Sequence, residues 1–420
     1  SGMMEKWNII KACDYCYNVT DGTHDSPKQK DVGKHLITSK HIKENRIDFE
    51  NAYRISEEDY KKIISRSKVD QWDILISMIG AYCGFCYIES SNQTDYAIKN
   101  VGLFKVGDEV KCRWLYYYLT SPQGKEQLSI LRSGSSQPYI PLGALRNLEI
   151  PVPNSQYMES IVLILKSLDD KIDLNRRINE NLEQQAQTLF KSWFVDFEPF
   201  KNAKFVDSEL GKIPEGWKVV HADEVYNINI GKTPPRKERI WFSNSESSNV
   251  QWVSISDMGN CGAFIGNSKE YLTEDAINKF NIIIVPKDTI LLSFKLTIGR
   301  VAIAQKELTT NEAIARFYLP YSQYREFTYL TLKNYDYSKL GSTSSIATAV
   351  NSKIIKGMKI LLPTNEHIKN FSTIVKPIFD LMESYSNEID SLSEFRDTLL
   401  PRLMSGELKI TDIVDKSLNE

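Results

Sequence analysis

An α+β fold built twice is predicted for this 420-residue chain: two tandem mixed α/β globular domains, each followed by a long helix, with the two helices pairing as a coiled coil. Three observations predict it. First, "IDLNRRINENLEQQAQTLF", from Ile172 to Phe190, is the middle of a heptad seam. Steps of four and three from Ile161 meet Leu165, Leu168, Ile172, Asn175, Asn179, Leu182, Ala186, Leu189 and Trp193, so apolar residues hold nearly every a and d position. Second, the heptad recurs 210 residues later at Phe371, Val375, Ile378, Met382, Tyr385, Ile389, Leu392, Leu399 and Leu403, with one break at Arg396. Third, the same separation of 210 relates Trp7 to Trp217, Pro153 to Pro363 and Thr188-Leu189 to Thr398-Leu399. A period that long is too large for a solenoid and means duplicated domains.

The first globular domain is expected over residues 3–153. "HLITSKHI", "WDILISMIG" and "FCYI" are strand-like apolar runs, whereas Ser56 caps a short helix with an acidic first turn, "SEEDYKKII". "VGLFKV" supplies another strand and "RWLYYYLTSPQGKEQL" another helix. "GSSQPYIPLGALRNLEIPVP" follows as a polar loop, a helical turn and a strand closed by prolines. The first spacer helix is placed at 154–198, and asparagine at two of its seam positions implies a pairing specified in register. A linker at 199–213 precedes the second globular domain, 214–363. There "YLTEDAINKF" answers "RISEEDYKKI", and "DTILLSFKLTIGRVAI" answers "DILISMIGAYCGFCYI". The second helix takes 364–410, leaving 411–420 as a C-terminal tail.

Composition sets the class. With 41% hydrophobic and 25% charged residues the chain can bury ordinary cores. No apolar run approaches the ~20 residues of a membrane span, and six cysteines do not make a disulfide framework, so a soluble cytoplasmic protein is expected. The net charge of -2 is unevenly placed: both globular segments are net positive and both helical segments net negative. Basic runs end at Arg46, Lys68 and Arg239, and such loops suit phosphates while acidic helices avoid them.

Catalytic patterns are weak. No Asn- or Asp-Pro-Pro-aromatic motif and no Gly-rich cofactor turn is present. "GKTPP" at Gly231 has Tyr226 where a phosphate loop needs glycine, and Asp95 with Glu109-x-Lys111 is too short a nuclease pattern to weigh. Cys13-x2-Cys16 and Cys83-x2-Cys86, with His24 in reserve, have zinc-knuckle spacing, but the second half builds the same unit without cysteines, so small buried side chains are the preferred reading and no metal is expected. No catalytic residue is assigned.

The order of "GTHDSPK", "SSQPYIPLGALRNLEIPVP", "LGKIPEGW" and "LLPRLMSGELKI", together with the duplication, resembles the specificity subunit of a type I restriction-modification system. The resemblance spans the whole chain. It implies two target-recognition domains, each reading one half of a bipartite double-stranded DNA target, with the helices antiparallel as a spacer. It further implies two methyltransferase subunits and restriction subunits as partners, with S-adenosylmethionine, ATP and Mg expected only in those partners. A coiled-coil scaffold without DNA binding and a zinc-containing DNA-binding protein are the alternative readings.

Side chains suited to phosphates and base edges stand in comparable loops of the two halves. In the first they are Thr23, His24, Lys28, Lys30, Ser39, Lys40, Arg66, Ser77, Tyr82, Ser135, Gln137 and Tyr139. In the second they are Lys232, Thr233, Arg236, Lys237, Arg239, Ser256, Asp257, Ser293, Lys295, Thr297, Ser344 and Ser345. Ser77 and Ser293 end strands and Gln137 sits in a tight loop, so about a third to a half of the set is expected to touch DNA.

Overall fold

In the computed structural model the described residues are 7–43, 45–134, 137–247, 249–340 and 350–408. They form two compact units. One runs to Asp170 and takes in the chain again from Glu394; the other is Lys171–Ser393.

The two long helices are α1, Ser155–Phe194, and α2, Asn365–Met404, each of 40 residues. Each starts just after a proline and a side-chain cap: Asn154 Oδ1 accepts from Tyr157 N at 2.8 Å, and Thr364 Oγ1 from His367 N at 3.3 Å. Both stop earlier than expected. Phe197 takes φ 53 just ahead of Pro199, and Gly406 takes φ 73, so a left-handed residue closes each helix.

Four strands form the central sheet of the first unit: β1 Asn18–Asp21, β2 Asp73–Ser77, β3 Cys86–Glu89 and β4 Val101–Lys105, in the order β1-β4-β2-β3 with every neighbour antiparallel. The second unit repeats this with β5 Asn227–Ile230, β6 Phe264–Ile265, β7 Ile290–Ser293, β8 Val301–Ala304 and β9 Ile314–Tyr318, in the order β5-β9-β7-β8-β6. The strands are rich in Ile, Leu, Val and Phe, and β2 and β7 are buried along their whole length. Each unit adds a parallel pair at one side, Lys34–Thr38 with Ala97–Lys99 in the first and Val250–Val253 with Thr309–Thr310 in the second.

A ladder closes each globular domain at the foot of a helix. Asn8–Lys11 pairs antiparallel with Glu149–Val152, and Lys218–His221 with Lys359–Leu362. The repeated tryptophans lie beside these ladders. Trp7 meets Trp114 edge-on at 5.6 Å and Tyr157 at 5.8 Å, while Trp217 Nε1 donates to His367 Nδ1 and its ring packs on Phe194 and Phe200.

The helices pair antiparallel in register. Within the second unit Asn175 Nδ2 donates to Glu388 Oε2 at 2.9 Å, and Asn179 Nδ2 to the Met382 carbonyl and Ser386 Oγ. A rising number on α1 meets a falling number on α2. Both asparagines are buried, and each finds its partner only at this register, which is how a buried amide specifies an alignment. Within the first unit Asp169 accepts from Arg396 Nη1 at 2.9 Å and from Tyr117 OH at 2.8 Å, so the seam break at Arg396 is an ion pair.

The seam is wider than a strict a/d reading. Ile172, Asn175, Asn179, Met382 and Leu399 are buried in it; Leu168, Leu182, Leu189, Ile378, Tyr385, Ile389 and Leu392 are only partly covered. Phe190, Phe194, Phe379 and Ser386 are buried instead, outside the expected positions. The reason is that each helix also faces a globular domain, which broadens the buried stripe beyond the two positions a helix pair alone requires.

Candidate nucleic-acid interface

In the first unit the loop after β1 is pressed against the turn before β4. A Cβ at Gly22 would stand 2.3 Å from the Ile98 carbonyl oxygen, so only glycine fits. This approach sets Thr23 in a bridge with Lys99 and brings His24 Nδ1 within 2.8 Å of Asn100 Oδ1. Asp21, at the end of β1, is buried. Its carboxylate holds two exposed groups at once: His24 Nε2 at 3.0 Å and the Arg66 guanidinium. Across the same edge Ser39 Oγ donates to the Asn100 carbonyl and accepts from the amides of Met78 and Ile79. The turn between β2 and β3 is in turn tied to the loop of residues 133–139, through the Gly80 amide to the Pro138 carbonyl and an Ile79–Tyr139 bridge. Lys43 Nζ lies over the Tyr82 ring at 3.6 Å.

Thr23, His24, Lys40, Arg66, Tyr82, Gln137 and Tyr139 are thus gathered on one edge of one domain, and all but Thr23 and Tyr82 are exposed. Lys28 and Lys30 are exposed on the following segment, whose backbone pairs with Arg54.

The second unit repeats the construction with other side chains. A Cβ at Gly231 would stand 2.0 Å from the Asn311 carbonyl oxygen, and beside it Thr233 Oγ1 donates to Glu312 Oε2. Arg236 Nη1 reaches both oxygens of Glu270, at 2.8 and 3.0 Å, while the guanidinium stacks 4.7 Å from the Phe242 ring centre and 4.9 Å from that of Trp252. Arg239 approaches Glu270 at 3.6 Å, and Lys237 is exposed. Lys232 Nζ is spent on the Phe280 carbonyl. A cavity of about 360 Å³ opens here, lined by Thr233, Arg236, Trp252, Ser256, Lys269 and Asn311 among others. Its wall carries Arg236 and Lys269 as donors and Asp257, Glu270 and Glu312 as acceptors, groups that can meet base edges.

Four of the expected contact residues are buried in the fold. Ser39 has its hydroxyl engaged as described. Ser77 is fully buried at the end of β2. Ser293 Oγ accepts from the Arg300 amide, and Asp257 accepts from the Ser254 amide and hydroxyl, capping the turn that follows. The Ser39, Asp257 and Ser293 side chains thus hold loops, and Asp257 also lines the cavity. Ser135, Ser344 and Ser345 lie outside the described residues. Ser256, Lys295 and Thr297 are exposed.

Sequence reasoning missed Asp21, Lys43, Lys99 and Asn100 in the first domain and Trp252, Glu270 and Glu312 in the second. Asn100 left a signal: an asparagine before Val101-Gly102 is a natural left-handed turn residue, and its φ is 51. The carboxylates left none, because an acidic residue that orients an arginine looks the same in sequence as one that faces water.

Four of the cysteines are core residues, and Cys13 is exposed. Cys16, Cys83, Cys86 and Cys112 pack in the hydrophobic core of the first unit, and burial pushes the Cys16 and Cys86 thiols up to about 12. Among the described residues no three His, Cys, Asp or Glu side chains are grouped to hold a metal ion, and no helix is long and apolar enough to cross a membrane.

If Lys237 and Arg239 contact phosphates, their joint replacement by alanine weakens binding to every duplex alike and lowers the salt slope by up to about 2. Fluorescence anisotropy across a salt series measures this. An unchanged slope would place that run away from DNA.

The family model described as "Type I restriction modification DNA specificity domain" matches residues 4–184 and again 214–394. The MjaIX type I restriction enzyme specificity subunit of Methanocaldococcus jannaschii is 29% identical over 320 residues, covering 73% of this chain and 71% of its own. The HindI specificity subunit of Haemophilus influenzae is 28% identical over 359 residues, covering 70% and 77%. The S subunit of a type I restriction-modification system from M. genitalium superposes with a TM-score of 0.50 at 17% identity, over 94% of this chain and 96% of that one.

Proposed function

We propose, since the chain belongs to the family of type I restriction modification DNA specificity domains, that it is the non-catalytic sequence-reading subunit of such a complex in the cytoplasm. Each globular domain reads one half of a bipartite double-stranded target, and the helix pair sets the distance between the halves. Two methyltransferase subunits and the restriction subunits assemble on it. S-adenosylmethionine, ATP and Mg are held by those partners, and this chain contributes recognition.

The observation that carries this reading is the repeat of one reading edge in two chemistries. The same sheet order and the same glycine approach at Gly22 and Gly231 hold His24, Asn100 and Lys40 in one domain, but Thr233, Arg236 and Glu312 in the other. A scaffold under no demand for recognition has no reason to keep the frame and change the polar groups on it. Different groups read different bases, so the half-sites differ.

The test is a domain exchange. Replacing residues 3–153 with the equivalent unit of a relative changes one half of the methylated motif, read by sequencing the methylated genome of a host carrying the complex, and leaves the other half as it was. A chimera that alters both halves refutes modular reading.

A further inference from the structure

The turn between β7 and β8 holds a residue that no other described part of the fold covers. It opens at buried Ser293 and closes at Gly299, φ 91, whose amide donates to the Ser293 carbonyl at 3.0 Å. The turn between β2 and β3 has a similar frame, longer by a single residue: it opens at buried Ser77 and closes at Gly84, φ 96, whose amide donates to the Ser77 carbonyl at 2.8 Å. In both, the third residue after the serine is left-handed. In the first domain it is Gly80, φ 84, where a Cβ would meet nothing within 4 Å. In the second it is Leu296, φ 61, and its side chain is fully exposed, at 102%.

That choice runs against both local and hydrophobic physics. A branched L side chain disfavours the left-handed region that glycine enters freely, and an exposed leucine gains nothing from burial. Among the described residues nothing compensates, because the side chain is fully exposed. A strained conformation carrying an unused apolar group is a reason to look for its contact outside the molecule.

The surroundings say what that contact is. Lys295 and Thr297 flank the leucine and are exposed, with Ile298 partly exposed beyond them at 39%, so the tip is basic and polar around an apolar point whose most exposed side chain is Leu296. Arg300 Nη1 donates to the Ile255 carbonyl at 2.6 Å, which fixes the turn carrying Ser256 against this tip, and the Phe294 amide donates to Ala313, two residues after the Asn311 that lines the cavity. The tip therefore stands on the same edge as Thr233, Arg236 and Ser256. On the major-groove edges of the base pairs the one apolar group is the thymine 5-methyl. We propose that Leu296 reads a thymine methyl in the second half-site; this rests on the DNA-reading function proposed above.

The experiment uses the full chain and duplexes bearing the motif read from methylated genomic DNA, with each second-half-site thymine replaced in turn by deoxyuridine, which lacks only the methyl. The wild type loses about 4-fold in affinity at one position, the worth of one buried methyl-sized group. Leu296→Gly binds the thymine duplex about 4-fold more weakly and is indifferent to uracil at that position, while its salt slope is unchanged and its melting temperature is not lowered, glycine being the residue that the turn geometry favours. Equal responses of wild type and variant to every uracil overturn the proposal. So does a second half-site with no thymine on either strand, or a variant that keeps its thymine preference but no longer co-purifies with the methyltransferase subunit. A wild-type chain that binds the motif duplex no better than a random one instead refutes the DNA-reading function itself.

Discussion

Inserting one heptad into each long helix, after Asp170 and after Leu392, is expected to lengthen the non-specific spacer by two to three base pairs or to abolish binding at every spacer, with both half-site sequences unaltered. The insertion points follow from the observed register. Asn175 meets Glu388, Asn179 meets Met382 and Ser386, and Asp169 meets Arg396, so residue 170 of α1 stands level with about Leu392 of α2. Seven residues at matched levels keep the seam in phase and add about 10.5 Å. That is the rise of about three base pairs, and it turns the far half-site by roughly 100° around the duplex. The rotation is why complete loss is an acceptable outcome beside a longer spacer. Inserting after Leu182 and Leu392 instead moves Phe190 and Phe194 by a full heptad relative to Phe371, which they pack against, so this mismatched pair is expected to lose the folded second unit. Methylation at the original spacing with undiminished efficiency in the matched variant would show that the helices do not set the distance.

Arg325→Met is expected to cost the second unit about 3–5 kcal/mol, read from its thermal or urea unfolding transition. Arg325 is nearly buried at the start of a helix that faces α2, with Asp288 at 3.0 Å, Glu326 at 2.8 Å and Asp380 at 3.3 Å. Glu326 is only 2% exposed, and its other oxygen takes a hydrogen bond from Ser372 on α2. Methionine fills the space but leaves that carboxylate buried without its cation, which is where the loss arises. Adding Glu326→Gln removes the stranded charge and restores a large part of the stability. A single variant that loses less than about 1 kcal/mol would mean that water reaches Glu326 and solvates it.

Arg325 illustrates what sequence reading does not reach. In "QYREFTYLTLK" a basic and an acidic residue stand side by side, and such a pair ordinarily faces water. The fold buries them together because α2 passes over that helix and brings Asp380 and Glu383 with it. The same gap runs through the candidate interface. His24, Arg66 and Arg236 were legible as exposed polar groups, yet Asp21 and Glu270, which orient them, were not.

What the sequence by itself determined is everything periodic or repeated. A heptad needs only its own spacing to be seen, the separation of 210 needs only two copies, and both survive whatever the loops do. Zinc-like cysteine spacing could likewise be weighed by comparing one half with the other, whereas only the fold shows that Cys16, Cys83 and Cys86 are core residues and Cys13 is exposed. The tertiary structure alone decided the antiparallel level at which the seam residues meet, the replacement of expected seam positions by Phe379 and Ser386, and the burial of Ser39, Ser77, Asp257 and Ser293. These depend on contacts between segments far apart in the chain. A serine at a strand end carries the same local signal whether its hydroxyl points to a base or to a backbone amide, and only the segment folded against it settles which.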